Sequence, residues 1–138
     1  MSKKILIVDD EPEIVSLLEN FFTIEGYEVD GTTSPREAVK RVQAESLWVV
    51  ITDLTMPEMS GLDLMREIKK CDGMVQMIAI TGYVTIDNVL TAFRLGVSNL
   101  FFKPFDSLDS LKAEVEQAFD KRKRINKVLN ELRNLKSA

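Results

Sequence analysis

Asp9 with Asp10, Asp53, Thr81 and Lys103 stand where four short apolar runs of this 138-residue chain stop. Three carboxylates brought to close range repel and raise one another's pKa unless a cation joins them. An all-oxygen donor set with few protein groups suits Mg²⁺, which keeps several of its waters. Lys103 adds a fixed positive charge, and Thr81 a small hydroxyl donor. A divalent cation, an ammonium and a hydroxyl around a carboxylate match what a transferring phosphoryl group needs, because its spread negative charge is stabilised by positioned cations and donors. In such a cluster Asp53 is the candidate nucleophile, forming an aspartyl-phosphate. Taken singly, each residue has a plainer reading. Asp9 and Asp10 suit the cap of a helix opening near Pro12, Asp53 and Thr81 suit turns, and Lys103 before Pro104 suits a solvated loop. The specific reading rests on all of them together.

The elements that must position these residues alternate five times between strand and helix. Ile5 to Val8 is aliphatic throughout, as a strand buried on both faces would be. Pro12 suits a first helical turn, Ile14, Leu17, Leu18 and Phe21 follow at helical spacing, and Gly26 sits where the helix should close. Tyr27 to Asp30 alternates like an edge strand. Ser34-Pro35-Arg36-Glu37 is a capping box that opens a second helix, with Ala38, Val39 and Val42 inward. Leu47 to Ile51 is a third, strongly β-favouring strand that runs into Asp53. Leu62, Met65 and Ile68 mark a third helix. Met77 to Ile80 is a fourth strand ending at Thr81. Ile86, Val89, Leu90 and Phe93 mark a fourth helix, closed by Gly96. Leu100 to Phe102 is a fifth strand ending at Lys103, and from about Ser107 a last helix runs nearly to the C-terminus. This alternation implies a parallel sheet with helices on both faces. Ligands of such sheets bind at the carboxyl ends of the strands, where the polar residues fall.

Composition narrows the chemistry. Hydrophobic residues make up 45% and charged residues 29% of the chain, an ordinary globular balance. There is no histidine, which excludes a Ser-His-Asp or Cys-His nucleophile, a His-ligated zinc and a phosphohistidine on this chain. The single cysteine, Cys71, reads as a loop residue after a helix, forms no internal disulfide and fits a reducing compartment. Ile5 to Val8 is too short for a signal-peptide core, and no stretch has the ~20 apolar residues of a membrane span. The expectation is a cytoplasmic protein.

Three stretches, ILIVDDEPEI, ITDLTMPEMSGLDLMREIK, and AITGY with GVSNLFFKPF, resemble the receiver domain of two-component response regulators. Asp53, Met56, Pro57, Met59 and Gly61 fit that family's D-x-x-M-P-x-M-x-G pattern, and the resemblance covers residues 3–119. It implies a flavodoxin-like, doubly wound five-stranded sheet of order 2-1-3-4-5 with five helices. It implies that Asp53 accepts phosphate from the phosphohistidine of a sensor histidine kinase or phosphotransfer protein. Asp10 and Asp53 would bind Mg²⁺ directly, with the backbone carbonyl of Thr55, and Asp9 would act through metal-bound water. Thr81 and Lys103 would contact the phosphoryl oxygens, and Pro104 would be a cis-proline. Thr55 and Tyr83 occupy positions that tune such sites. One residue departs from the pattern: three before the lysine, where the family carries Tyr or Phe, stands Leu100. A buried strand residue without a switching role is expected there.

Residues 120–138 form a separate C-terminal helical extension beyond a receiver domain of residues 1–119. The charge is asymmetric: 11 Lys/Arg against 20 Asp/Glu through residue 119, and 7 against 2 from residue 120 onward. The acidic body makes nucleic acid an unlikely partner, and Lys121 to Arg124 read as a solvated charge run. Leu111, Val115, Ala118, Arg122, Ile125, Leu129, Leu132 and Lys136 recur at 4-3 spacing, so a homodimer through this helix is a candidate, beside a linker helix to an output domain and a solvated extension of the last helix. An aspartate-nucleophile phosphatase of the haloacid dehalogenase type would need a second Asp where Thr55 stands, and a flavodoxin would need a phosphate loop where DDEPE stands. The function expected is a phosphorylation-switched signalling domain with self-phosphorylation and slow self-dephosphorylation. The alternative is a phosphorylation-independent interaction module of the same fold.

Overall fold

The computed structural model describes residues 4–137. Its elements are β1 (Lys4–Val8), α1 (Pro12–Ile24), β2 (Glu28–Thr32), α2 (Pro35–Ala44), β3 (Val49–Asp53), α3 (Gly61–Cys71), β4 (Gln76–Thr81), α4 (Ile86–Arg94), β5 (Asn99–Phe102) and α5 (Asp109–Ser137). The five strands form one parallel sheet of order β2-β1-β3-β4-β5. This is the flavodoxin-like order implied by the sequence resemblance.

Strand side chains alternate between faces, and here both faces are covered. Ile5 and Ile7 join Val15, Leu18, Phe22 and the first half of α5 in one core. Leu6 and Val8 join Ala38, Val42, Met65 and Ile68 in the other. The central strands β3 and β4 are therefore buried along their whole length, whereas the edge strand β2 is only partly buried.

The helix ends follow local chemistry. Ser34 Oγ accepts the Glu37 N–H at 3.2 Å, as the capping box requires. Gly26 (φ +96°) and Gly96 (φ +95°) close α1 and α4 in the left-handed region, and the next residues, Tyr27 and Val97, bond back to Phe22 and Ala92.

The structure corrects three details. In α1 the buried stripe is Val15, Leu18 and Phe22, while Leu17 is 45% exposed. The apolar residues of α4 do not form an inner stripe: Ile86, Leu90 and Phe93 are exposed, and only Ala92 of this helix is buried. Periodicity locates an apolar face but not what covers it. Cys71 is the exposed last residue of α3 rather than a loop residue.

Candidate functional site

Four strands deliver their carboxyl ends to one place. Asp9 follows β1, Asp53 ends β3, Thr81 ends β4 and Lys103 follows β5. Asp9, Asp53 and Thr81 are buried. Carboxylate oxygens of Asp9, Asp10 and Asp53 lie within 4.8 Å of one another. The Lys103 side chain, only 9% exposed, brings Nζ to 2.7 Å from Asp9 Oδ2 and 3.2 Å from Asp53 Oδ2. The Asp53 contact is a hydrogen bond donated by Lys103. The Asp9 contact is an ion pair without hydrogen-bond alignment at Oδ2.

Local backbone fixes the acidic side chains. Asp9 Oδ1 accepts the Glu11 N–H at 2.9 Å, and Asp53 Oδ1 accepts the Thr55 N–H at 3.1 Å. Gly61 lets the turn after β3 fold tightly onto the site strand. A Cβ there would collide with the Asp53 carbonyl oxygen, while its N–H donates to Leu54 O at 2.9 Å. The Lys103–Pro104 peptide bond is cis.

The charge balance is negative. Burial pushes Asp9 up to about 6, against the opposing pull of Lys103 and the Glu11 N–H, and the neighbouring Asp53 charge adds to the rise. Burial likewise raises Asp53 above the usual carboxylate range, although the Thr55 N–H and Lys103 act the other way. For Lys103, burial favours the neutral amine, but the carboxylates of Asp9 and Asp53 outweigh it and raise the pKa. One ammonium is thus shared among several carboxylates, and the protonated form of Asp9 is favoured well above its ordinary range. Three hard oxygen donors with surplus negative charge fit a small divalent cation such as Mg²⁺.

Thr81 sits at the rim of this cluster. Its Oγ1 donates to the Tyr83 carbonyl at 2.8 Å and accepts the Tyr83 N–H at 3.3 Å. Thr55 Oγ1 donates to the same carbonyl at 3.2 Å, tying the loop after β4 to the loop after β3. Tyr83 as a whole is 75% exposed. Leu100 is a strand residue of β5 that packs against the core but is only half-buried, not buried as expected.

The sequence reading brought together all the acids, Thr81 and Lys103 but assigned nothing to Glu11. Its Oε2 accepts from Lys103 Nζ at 3.4 Å. The available signal was its place two residues after Asp9, at the opening of α1. The Tyr83 carbonyl, the common acceptor of two threonines, carries no side-chain signal at all. A concavity of about 710 Å³ lies elsewhere, between α2 and α3. Arg36–Glu58, Arg66–Asp63 and Lys70–Glu67 ion pairs line it.

Residues 5–116 match the family model for the response regulator receiver domain. The chain is 37% identical over 106 residues to the chemotaxis protein CheY of Thermotoga maritima, covering 76% of this chain and 88% of that protein. It spans 44% of the length of some other curated relatives and 28% of another, a regulatory protein of Escherichia coli aligned over 135 residues. Among solved structures it resembles the beryllofluoride-activated NtrC4 receiver domain dimer, with a TM-score of 0.81 at 31% identity, covering 87% of this chain and 98% of that one. It also resembles the response regulator TrrA of Thermotoga maritima in complex with Mg²⁺–BeF, with a TM-score of 0.75 at 34% identity, covering 86% and 99%.

Proposed function

The chain belongs to the response regulator receiver-domain family, and from that premise we propose that Asp53 accepts a phosphoryl group in a Mg²⁺-dependent reaction that switches a signalling output. As a receiver domain it is a signalling domain, not a classical enzyme. The donor in this reading is the phosphohistidine of a sensor histidine kinase or phosphotransfer protein. Small acyl phosphates serve as donors for self-phosphorylation.

The observation that carries this reading is the meeting of Asp53 with Lys103 inside the acidic cluster. An Asp53 carboxylate oxygen attacks phosphorus, the bond to the donor's nitrogen or oxygen breaks, and the donor leaves with that electron pair. Lys103 is within hydrogen-bond reach of Asp53 and supplies a fixed positive charge beside the incoming phosphoryl oxygens. The Thr81 hydroxyl exchanges its Tyr83 carbonyl partner for a phosphoryl oxygen. The Thr55 hydroxyl keeps that carbonyl occupied, so the exchange strands no buried acceptor. Asp9, Asp10, Asp53 and the Thr55 carbonyl would hold Mg²⁺, which neutralises charge between the carboxylate and the phosphoryl oxygens. The Mg²⁺–BeF complex of a relative supports that assignment. The phosphoryl group is lost slowly, by attack of water on phosphorus.

Residues 1–119 form the receiver domain in this reading, and the rest of α5 associates with a second copy. A solved receiver dimer among the relatives supports such association. Among the described residues no helix is long and apolar enough to cross a membrane. We assign its action to the cytoplasm, in keeping with the lone Cys71. Incubation with acetyl phosphate and Mg²⁺, followed by intact-mass measurement, should add one phosphoryl group to the native chain and none to Asp53→Asn. An equal gain in that variant, or a gain on serine or threonine, overturns the assignment.

A further inference from the structure

The first half of α5 packs on its own sheet: Leu111, Val115 and Ala118 are buried there. Arg122 is buried too, at 5% exposure, although it stands in what reads as a solvated charge run. Its guanidinium lies 5.5 Å from the centre of the Trp48 ring. Its Nη2 is 3.6 Å from Asp72 Oδ2, and its Nε donates to Asn126 Oδ1 at 3.3 Å. A cation held at once by the start of β3, the end of α3 and its own helix fixes the rotation of α5 about its axis where the helix leaves the body.

That rotation decides which residues a partner can reach. The 4-3 row continuing through Arg122, Ile125, Leu129, Leu132 and Lys136 centres only about 40° from Arg122 at 100° per residue, so it turns largely toward the body. The apolar side chains that stand in water lie further round. Val128, Leu132 and Leu135 are 62%, 48% and 74% exposed, and Ile125 is half-buried. Ile125, Val128, Leu132 and Leu135 are spaced 3-4-3, and their row centres roughly 100° from Arg122, clear of the sheet.

We propose that Arg122, pinned on Trp48 and Asp72, sets the seam along which α5 pairs with a second copy of this chain in parallel, the seam being Ile125, Val128, Leu132 and Leu135. This inference rests on the dimer reading above and names its interface. Charge chooses the occupant and its direction. In this register Glu131 and Lys136 flank the seam at positions that meet across a parallel pair, so Glu131 of each copy faces the partner's Lys136 twice by symmetry. Antiparallel pairing sets Val128 against the partner's Leu132 and loses both ion pairs. Upstream the next seam position is Lys121, which faces the partner's Lys121 and ends the apolar run. Four layers give weak pairing, and salt screens both the Lys121 repulsion and the Glu131–Lys136 attraction.

Disulfide trapping in the full chain tests this. In a Cys71→Ser background, Val128→Cys and Leu132→Cys should each cross-link to themselves several-fold more than Asn130→Cys when oxidised with copper phenanthroline. A mixture of Val128→Cys with Leu132→Cys that cross-links better than either alone overturns the parallel seam. Adding Arg122→Met should lower Val128→Cys cross-linking several-fold and raise that of Leu129→Cys, because the pin is gone. Arg122→Lys, which keeps the charge but not the flat stacking, should do the same more weakly. Acetyl phosphate labelling of Asp53 reports that each variant is folded. An unchanged cross-linking pattern in both Arg122 variants overturns the role of Arg122. Sedimentation equilibrium of the unoxidised native chain separates the two levels: a monomer at hundreds of micromolar removes the dimer itself, whereas a dimer with the wrong pattern removes only the seam.

Discussion

The two ends of the sheet bury charge in opposite ways. At the carboxyl ends of the strands, buried Asp9 and Asp53, together with Asp10 and Glu11, share the single ammonium of Lys103. Near the amino ends, besides Lys4 with Asp30 and Glu45, the buried cation Arg122 has one carboxylate, Asp72, and one aromatic face, Trp48. Charge taken out of water is costly unless it is compensated. The first end is left with surplus negative charge, and burial, with the neighbouring Asp53 charge adding to it, pushes Asp9 up to about 6. The second end is near balance, and its geometry ties three elements together. An incompletely compensated cluster invites a cation. A compensated one serves as a joint.

The joint should respond most strongly to loss of its ring. Trp48 is buried at 6% exposure and packs 6.1 Å from Phe119 as well as under Arg122. Trp48→Ala should cost about 3–5 kcal/mol, the range for a buried aromatic, with part of the loss arising from a buried cation stripped of its cover. Urea unfolding of the native and variant chains measures this. A loss below about 1 kcal/mol would mean that the ring does not hold α5 in place.

At the other end, removing a charge should stabilise. Below the unfolded-state value of 3.8, Asp9 is protonated in both folded and unfolded chains and contributes no difference. Between 3.8 and about 6 the folded state holds the proton more tightly, so the native protein loses stability as pH rises through this window, and the loss is complete above it. Two pH units correspond to roughly 2–3 kcal/mol. Without metal, Asp9→Asn should therefore be more stable than the native chain by that order at pH 7, with the difference vanishing toward pH 4. Asp10→Asn should show the same sign with a smaller gain, since Asp10 is only half-buried. Mg²⁺ should stabilise the native chain by mass action, about 2.7 kcal/mol at a hundredfold excess over its Kd, and either variant by less. Thermal melts at pH 4, 5.5 and 7, with and without Mg²⁺, read all three. An Asp9→Asn variant less stable than native at pH 7 without metal would show that Lys103 already compensates the site.

These contrasts also mark what the sequence could reveal. The acidic end was legible because each of its residues breaks an aliphatic run, and alternation of strand and helix sends all such breaks to one edge. The joint was not legible. Arg122 sits within Lys121-Arg122-Lys123-Arg124, and although the 4-3 row of Leu111, Val115 and Ala118 passes through it, a cation in that row reads as an interruption rather than as a buried group. Leu111, Val115 and Ala118 pack the first half of α5 on the sheet and put that one side chain on the inward face, where its contacts with Trp48 and Asp72 hold the helix as it leaves the body. Trp48 and Asp72 lie 74 and 50 residues before it in sequence, so no local pattern connects them. The exposed face of α4 was illegible for a related reason. Ile86, Leu90 and Phe93 keep helical spacing whether a sheet or water faces them.

The smallest effect is the most discriminating, because the same chemical change is made at both ends. Asp72→Asn keeps the shape of the side chain, and its Oδ1 can still accept the Met74 N–H that now bonds there at 2.9 Å. It removes only the charge facing Arg122. Asp72 is 28% exposed and the ion pair is 3.6 Å long, so solvent screens much of the interaction. The cost should be about 1 kcal/mol, above a surface pair because the Arg122 side chain is 6% exposed and left with less compensation. Asp9→Asn and Asp72→Asn should thus shift stability in opposite directions at pH 7. Salt should shrink the Asp72 difference, and Mg²⁺ should leave it unchanged, since the two carboxylates lie at opposite ends of the sheet. Urea unfolding of both variants, in low and high salt and with and without Mg²⁺, reads the sign directly. A stabilising Asp72→Asn would mean that desolvation of this pair outweighs its attraction. The amino end would then also carry uncompensated charge, and the contrast between the two ends would collapse.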